Sequence, residues 1–271
     1  MDKQKIPLAI AYDFDGTLAP GNMQERSFIP ELGISKEEFW HESRDVYAPD
    51  KDMDEILAYM YLLMSKAEPN GGITRALLEK HASDLTFFPG VEEWFARINA
   101  FADKLGIELK HYIISSGLRE MIQASKIGRA FEYIWASGFM YDDDGKAIWP
   151  ALAVNYTTKV QYLFRINKGV LNSFENDLIN SFTPDHKRAV PFTNMIYLGD
   201  GDTDVPSMKM MMHQGGKSIA VYDSEQKDKQ PACKRLLLQS RINYYAEADY
   251  TDGSQLDLII KDILQHTAES Y

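Results

Sequence analysis

An α/β fold with a parallel sheet is what the 271-residue sequence predicts. Three features predict it. Six short apolar runs are of strand length, helical patterns separate them, and the runs are nearly continuous rather than alternating. Strands of that kind are buried on both faces, as in a sheet built from right-handed βαβ units and covered by helices on each side.

The strands are expected at residues 8–12, 111–115, 133–136, 195–198, 218–222 and 242–246. Residues 22–85 break the rhythm. They contain no convincing strand but show helical patterns at 36–46, 53–67 and 74–82. Ser35 ahead of Lys36-Glu37-Glu38 is an N-cap with acidic residues in the first turn, and the stretch Pro69-Asn70-Gly71-Gly72 separates two helices. An all-helical block inside an α/β chain is expected to be a separate small domain. The division is then a core of residues 1–20 and 86–271 and an insertion of 21–85, with Pro89-Gly90 opening a helix that returns to the core. A second break, residues 138–149 (GFMYDDDGKAIW), has Asp144-Gly145 between two alternating runs and predicts a hairpin. Its acidic cluster resembles part of a calcium loop, but Met140 stands where the first ligand should be.

Composition narrows the function. Hydrophobic residues make up 45% of the chain, enough for a sizeable core. A formal net charge of −11 argues against nucleic acid as a partner, because phosphate-backbone affinity comes from clustered Lys and Arg. The single cysteine, Cys233, can form no internal disulfide and is expected to be a buried thiol. No apolar run approaches the roughly 20 residues of a membrane span. The N-terminal run meets Asp13 too early for a signal peptide and lacks a small-residue cleavage site. A soluble cytoplasmic protein is expected; composition does not define its oligomeric state.

Four stretches carry chemistry. In AIAYDFDGTLAP (9–20) a buried strand ends on two aspartates. Residues i and i+2 of an extended chain point the same way, so Asp13 and Asp15 can address one site at the C-terminal end of the first strand, where open α/β sheets bind ligands. In Ser115-Ser116-Gly117-Leu118-Arg119 a strand gives way to a helix; Ser115 is either a plain N-cap or, with free backbone N–H groups, part of a phosphate cradle. Lys159 falls in the first turn of a helix that Thr157 or Thr158 can cap. A cation there opposes the helix dipole at a cost of about 0.3–1 kcal/mol, which points to a local need for positive charge. Lys168 before Gly169 has the ordinary place of a cation at a helix C-terminus. The fourth stretch, LGDGDTDVPSM, puts Asp200, Asp202 and Asp204 after another apolar strand. Several carboxylates thus converge on one sheet edge. Two unit charges about 4 Å apart repel by roughly 4 kcal/mol at an effective dielectric of 20, and one lysine cannot offset several such pairs. A bound divalent cation can. The donors are all oxygens, and the six histidines form no HxH or HExxH cluster, so Mg²⁺ fits better than Zn²⁺.

The order DFDGT, a strand ending in Ser, a helix-start Lys and GDGDTD resembles the haloacid dehalogenase (HAD) superfamily, in its phosphatase branch. The resemblance covers residues 1–20 and about 86–271. It implies a doubly wound, Rossmann-like core with residues 22–85 as the inserted helical cap, and ISSGLR and the hairpin are similar to phosphoserine phosphatases. It further implies that Asp13 is the nucleophile that becomes an aspartyl-phosphate and Asp15 the general acid and base. Ser115, with Gly16, Thr17, Ser116 and Gly117, would surround the phosphoryl group, and Lys159 would steady Asp13. Mg²⁺ would bind Asp13, the Asp15 carbonyl and Asp200, while Asp204 would act directly, through water or by holding Lys159. Asp202 has no role. Dehalogenases of the superfamily lack the second aspartate, so Asp15 argues against dehalogenation.

The implied activity is a Mg²⁺-dependent phosphomonoesterase acting on a small phosphoester. A phosphotransferase or phosphomutase would use the same intermediate, and a receiver module or a phosphate-binding protein would stop short of turnover. Phosphoserine phosphatases carry a glutamate nine residues beyond the nucleophile, where this chain has Asn22; Glu25 would need a different loop path. Phosphoserine is therefore expected to be a poor substrate, with Asn22, Gln24 and Arg26 contacting the true one. Arg26 is either a solvated surface arginine or a contact for an acidic or second phosphate group.

Overall fold

A computed structural model describes residues 5–201 and 203–271. The chain opens with β1 (Ile6–Tyr12). Five helices follow without a strand: α1 (Phe28–Glu31), α2 (Lys36–His41), α3 (Ala48–Lys51), α4 (Glu55–Ala67) and α5 (Arg75–Ala82). A π-helical turn at Glu42–Tyr47 makes α2 and α3 one continuous helical stretch. The Ser35 cap falls where the sequence puts it, accepting from Glu38 N–H; Thr74 also caps α5, accepting from Leu77 N–H.

The chain then alternates strands and helices: α6 (Val91–Lys104), β2 (Ile107–Leu118), α7 (Arg119–Ala124), β3 (Tyr133–Tyr141), β4 (Ala147–Leu152), α8 (Lys159–Lys168), α9 (Asn176–Asn180), β5 (Met195–Gly199), α10 (Val205–His213), β6 (Lys217–Tyr222), α11 (Lys229–Leu238), β7 (Tyr244–Glu247) and α12 (Gln255–Glu269). The seven strands form one sheet in the order β4-β3-β2-β1-β5-β6-β7. Every pairing is parallel except β3 with β4. Side-chain alternation explains the unbroken apolar runs. Leu8, Ile10 and Tyr12 of β1 enter one core cluster with α6 and α12, while Ala9 and Ala11 enter the other with α8 and α10.

Three expectations are corrected. The strand expected at 133–136 and the first arm of the hairpin are a single strand, β3, so the hairpin extends the main sheet. Asp142 fixes its turn by accepting from the N–H groups of Asp144 and Lys146. β2 also runs past Ser115 to Leu118, with a register shift between those residues, so Ser115 lies on a bulged strand and α7 starts four residues later. Finally, neither threonine side chain caps α8. Asn155 Oδ1 accepts from the N–H groups of Thr157 and Thr158, and the Thr158 hydroxyl bonds back to the Asn155 backbone.

The helical insertion is tied to the core at several points. Ala147 N–H donates to Ile73 O (2.7 Å), Lys146 pairs with Glu68 (2.7 Å), Asn155 donates to Asp54 (2.9 Å), and the Tyr59 hydroxyl donates to Ser116 O (2.6 Å).

Candidate active site

β1 lies between β2 and β5, where the chain order reverses, and such a switch point leaves a crevice at the C-terminal strand ends. The register brings the functional residues to that edge. Tyr12 pairs with Ile113 on one side and Leu198 on the other, and Asp13 N–H donates to Leu198 O at 2.9 Å. Asp13 shares the parity of Ala9 and Ala11, the face that α8 covers, and so meets Lys159.

Lys159 is the hub of the site. It is fully buried; its Nζ lies 2.6 Å from Asp13 Oδ2 and 2.7 Å from Asp204 Oδ1. Asp13 Oδ1 accepts from Phe14 N–H at 2.7 Å, and Asp204 Oδ1 also accepts the Tyr197 hydroxyl at 2.6 Å. Asp15 Oδ1 accepts from Met23 N–H at 2.9 Å. Gly16 has φ +72° and could carry no side chain without meeting Asp200 Oδ2, which a Cβ would approach to 2.8 Å. The Ser115 hydroxyl oxygen accepts from Gly117 N–H at 3.0 Å, so that N–H is already engaged.

Burial sets the electrostatics. Desolvation pushes the Asp13 carboxyl up to about 7 against the pull of Lys159. Asp15 is held well above the usual carboxylate range, first by burial and then by the charge of Asp13. A carboxyl in that state can donate a proton near neutral pH.

Asp13, Asp200 and Asp204 can each offer a carboxylate oxygen within 4.8 Å of the others. Asp204 Oδ2 is buried and has no hydrogen-bond partner. An all-oxygen set of this kind fits a hard divalent cation. Asp202 lies outside the described residues.

A cavity of about 590 Å³ opens above these groups. Asp13, Asp15, Gly16, Ser115, Ser116, Gly117 and Asp200 line it from the core, and Asn22 and Gln24 from the insertion. Two expected contacts lie elsewhere. Thr17 is buried in the turn below, with its carbonyl accepting from the Tyr250 hydroxyl. Arg26 ends a 3₁₀ turn, is exposed and lies outside the cavity lining. Glu25 does come close to Asn22: it accepts from Asn22 Nδ2 at 2.5 Å and from Trp40 Nε1 at 2.7 Å.

The cavity also contains residues that the sequence reading missed. Trp40, Arg44, Glu55 and Tyr59 line it from the insertion, with the Arg44 guanidinium 4.7 Å above the Trp40 ring. Lys229 lines it from the core and reaches Asp200 Oδ2 at 3.1 Å. Its signal was present: Lys229 opens α11 as Lys159 opens α8, a cation in a first turn. Tyr197, a hydroxyl within an apolar strand, needed a partner and finds Asp204.

The sheet and its helices have the fold of solved HAD-family hydrolases and phosphoserine phosphatases. A HAD family hydrolase from Salmonella enterica serovar Typhi superposes with a TM-score of 0.59 at 19% identity, covering 96% of this chain and 73% of that one. A structure described as a phospho-aspartyl intermediate analogue of phosphoserine phosphatase gives 0.59 at 17% identity, covering 95% and 99%. A probable phosphoserine phosphatase from Vibrio cholerae gives 0.58 at 16%, covering 97% and 66%. No protein-family model matches the chain. An uncharacterized protein of Borreliella burgdorferi is 31% identical over an alignment of 283 residues, spanning 94% of this chain and 96% of that protein, and the chain belongs to its family. Among the described residues no helix is long and apolar enough to cross a membrane.

Proposed function

We propose that this protein is a Mg²⁺-dependent phosphomonoesterase that hydrolyses a small phosphorylated metabolite through an aspartyl-phosphate on Asp13. The observation that carries the proposal is the buried Lys159, bonded to both Asp13 and Asp204, with Asp13 and Asp15 lining the cavity above. A lysine with no exposed surface, held among carboxylates beneath a cavity, suits an anion that arrives from above.

In this reading Asp13 attacks phosphorus while the ester oxygen leaves, and Asp15 protonates that oxygen. Asp15 then takes a proton from the water that attacks the aspartyl-phosphate, which releases inorganic phosphate and restores Asp13. Lys159 offsets the charge of Asp13 and of the incoming phosphoryl group, and Asp204, bonded to Tyr197, holds Lys159 in place. Ser115, Ser116, Gly16 and Gly117 surround the phosphoryl oxygens. Asp13, Asp200 and Asp204, with the Asp15 carbonyl, would hold Mg²⁺, which when bound supplies positive charge to the phosphoryl oxygens.

Residues 21–85 act as the cap over the core of 1–20 and 86–271. Asn22, Gln24, Trp40, Arg44, Glu55 and Tyr59 then face the part of the substrate beyond the phosphate. We place the activity in the cytoplasm, in keeping with the lone buried thiol of Cys233.

The test is release of inorganic phosphate from a panel of phosphorylated metabolites and an aryl phosphate, with Mg²⁺ and with chelator. Asp13→Asn, nearly isosteric but poorly nucleophilic, should abolish turnover. More than a few per cent of wild-type turnover in that variant, with contaminating phosphatase excluded, would overturn the proposal.

A further inference from the structure

A second cavity of about 540 Å³ shares no lining residue with the first. It lies where the helical insertion meets the core, beside α7 and β3, and three arginines line it: Arg75, Arg119 and Arg129. In a chain of net charge −11 this is a local reversal of sign. The only carboxylate in its lining is Glu132, which has Lys110 3.5 Å away as a partner. Among the described residues, neither Arg75 nor Arg129 has a carboxylate within 4 Å. Arg119 has one, the adjacent and buried Glu120, at 3.4 Å.

Two of the guanidinium groups are seated in advance. Arg75, the first residue of α5, lies over the Tyr141 ring, 4.6 Å from its centroid. Arg119, the first residue of α7, rests against Gly138, where even a Cβ would come within 2.7 Å of Nη2. Gly138 thus leaves room for the planar group. Fixed guanidinium groups lose little freedom on binding, and each can grip a phosphate or carboxylate with two parallel hydrogen bonds. Three guanidinium groups outnumber the one carboxylate that lines the recess, Glu132, and a further anion would offset their excess charge.

We propose that this cleft is a second ligand site, for a small polyanion with two or more phosphate or carboxylate groups, clasped between Arg75 of the insertion and Arg119 and Arg129 of the core. Such a ligand bridges the two parts of the molecule. It also touches α7, which follows directly on the Ser115–Gly117 stretch of the first cavity.

The test is calorimetric titration of the full chain with sodium pyrophosphate in Mg²⁺-free, low-salt buffer, comparing wild type with R75Q/R129Q. Both arginines are exposed, so the double variant should fold, and circular dichroism checks that it does. We expect wild type to show a binding event that the double variant weakens about a hundredfold, the loss of two charge-assisted contacts at about tenfold each. The event should weaken as salt rises, and the variant's turnover without pyrophosphate should stay unchanged. Equal affinity and stoichiometry in the two proteins would assign all pyrophosphate binding to the first cavity and overturn the proposal, as would no binding by wild type. Co-sedimentation with phosphatidylglycerol vesicles that the variant loses, without pyrophosphate binding, would assign the arginines to a lipid surface and also overturn it.

Discussion

Replacing Lys159 with Met keeps most of the side-chain length and removes the charge. Asp13 and Asp204 would then face each other while only 5% and 0% exposed, with ligand atoms within 4.8 Å. At that separation and an effective dielectric of 20 their repulsion is about 3.5 kcal/mol. Removing one member of a buried ion pair costs about 3–5 kcal/mol by comparison with other proteins, since the survivors stay buried without compensation. The two figures agree. For a chain of this size, about 2–4 °C per kcal/mol translates the loss into a fall in Tm of roughly 6–20 °C. The measurement is thermal and urea unfolding of K159M and wild type in chelator at pH 8, where the loss of Lys159, which pulls Asp13 down, shows either as repulsion or as a proton retained on Asp13. Added Mg²⁺ should restore part of the loss, because a cation that binds only the folded cluster stabilises it by mass action. Turnover should fall by about 10²–10³-fold, the usual effect of losing one preorganised charge contact. A midpoint within about 2 °C of wild type, with turnover within about threefold, would show that Lys159 neither balances the cluster nor serves the reaction.

Three further outcomes are expected. Asp15→Asn should slow alkyl phosphates more than aryl phosphates, because proton donation matters most for a basic leaving oxygen; equal losses on both would remove Asp15 from that role. Burial pushes His111 down to about 3, so the folded state resists a proton that the unfolded chain takes up near 6.5. Its contribution to stability is therefore complete above pH 6.5 and is lost as pH falls toward 3, at up to about 1.4 kcal/mol per pH unit; chemical denaturation across that range should show a shallower slope in H111Q, and an unchanged slope would refute this origin. Phosphoserine should have a kcat/KM about tenfold or more below the best substrate of the panel, since Asn22 is neutral and the Glu25 carboxylate is already held by Asn22 and Trp40; phosphoserine as the best substrate would contradict that.

What the sequence made legible follows from where burial leaves a pattern. β1, β5 and β6 lie inside a parallel sheet, so their apolar runs are unbroken and their ends are marked by Asp13, Asp200 and Asp223. β2 was read three residues short at its C-terminal end because Ser116 and Gly117 interrupt the apolar run where the strand bulges around the site. β3 was cut in two at Ser137 and Gly138. The first receives a structural task, accepting from Val154 N–H, and the second stands bare beneath Arg119. On the insertion, Arg26 lies near the Asp13–Asp15 loop in sequence, yet Arg44 lines the cavity. Which face a helix turns inward there depends on packing against Ser116, Lys146 and Asn155, residues far away in sequence.

The electrostatics of the site are a consequence of the topology. α10 and α11 follow parallel strands and so begin at the C-terminal strand edge, and the antiparallel β4 ends opposite Gly138 before α8 opens with Lys159 on Asp13, so all three helices start beside the carboxylates. Each helix start carries a partial positive charge of roughly half a unit. α8 and α11 add Lys159 and Lys229 in their first residues, and α10 begins directly after Asp204. Each lysine opposes its own helix dipole but is held by an aspartate, Lys159 by Asp13 and Asp204 and Lys229 by Asp200. Four described aspartates, Asp13, Asp15, Asp200 and Asp204, still face two lysines, and burial eases part of the difference by raising Asp15 well above the usual carboxylate range. The remaining negative charge sits where Asp13, Asp200 and Asp204 converge, where a divalent cation fits and beside which a phosphoryl group can enter.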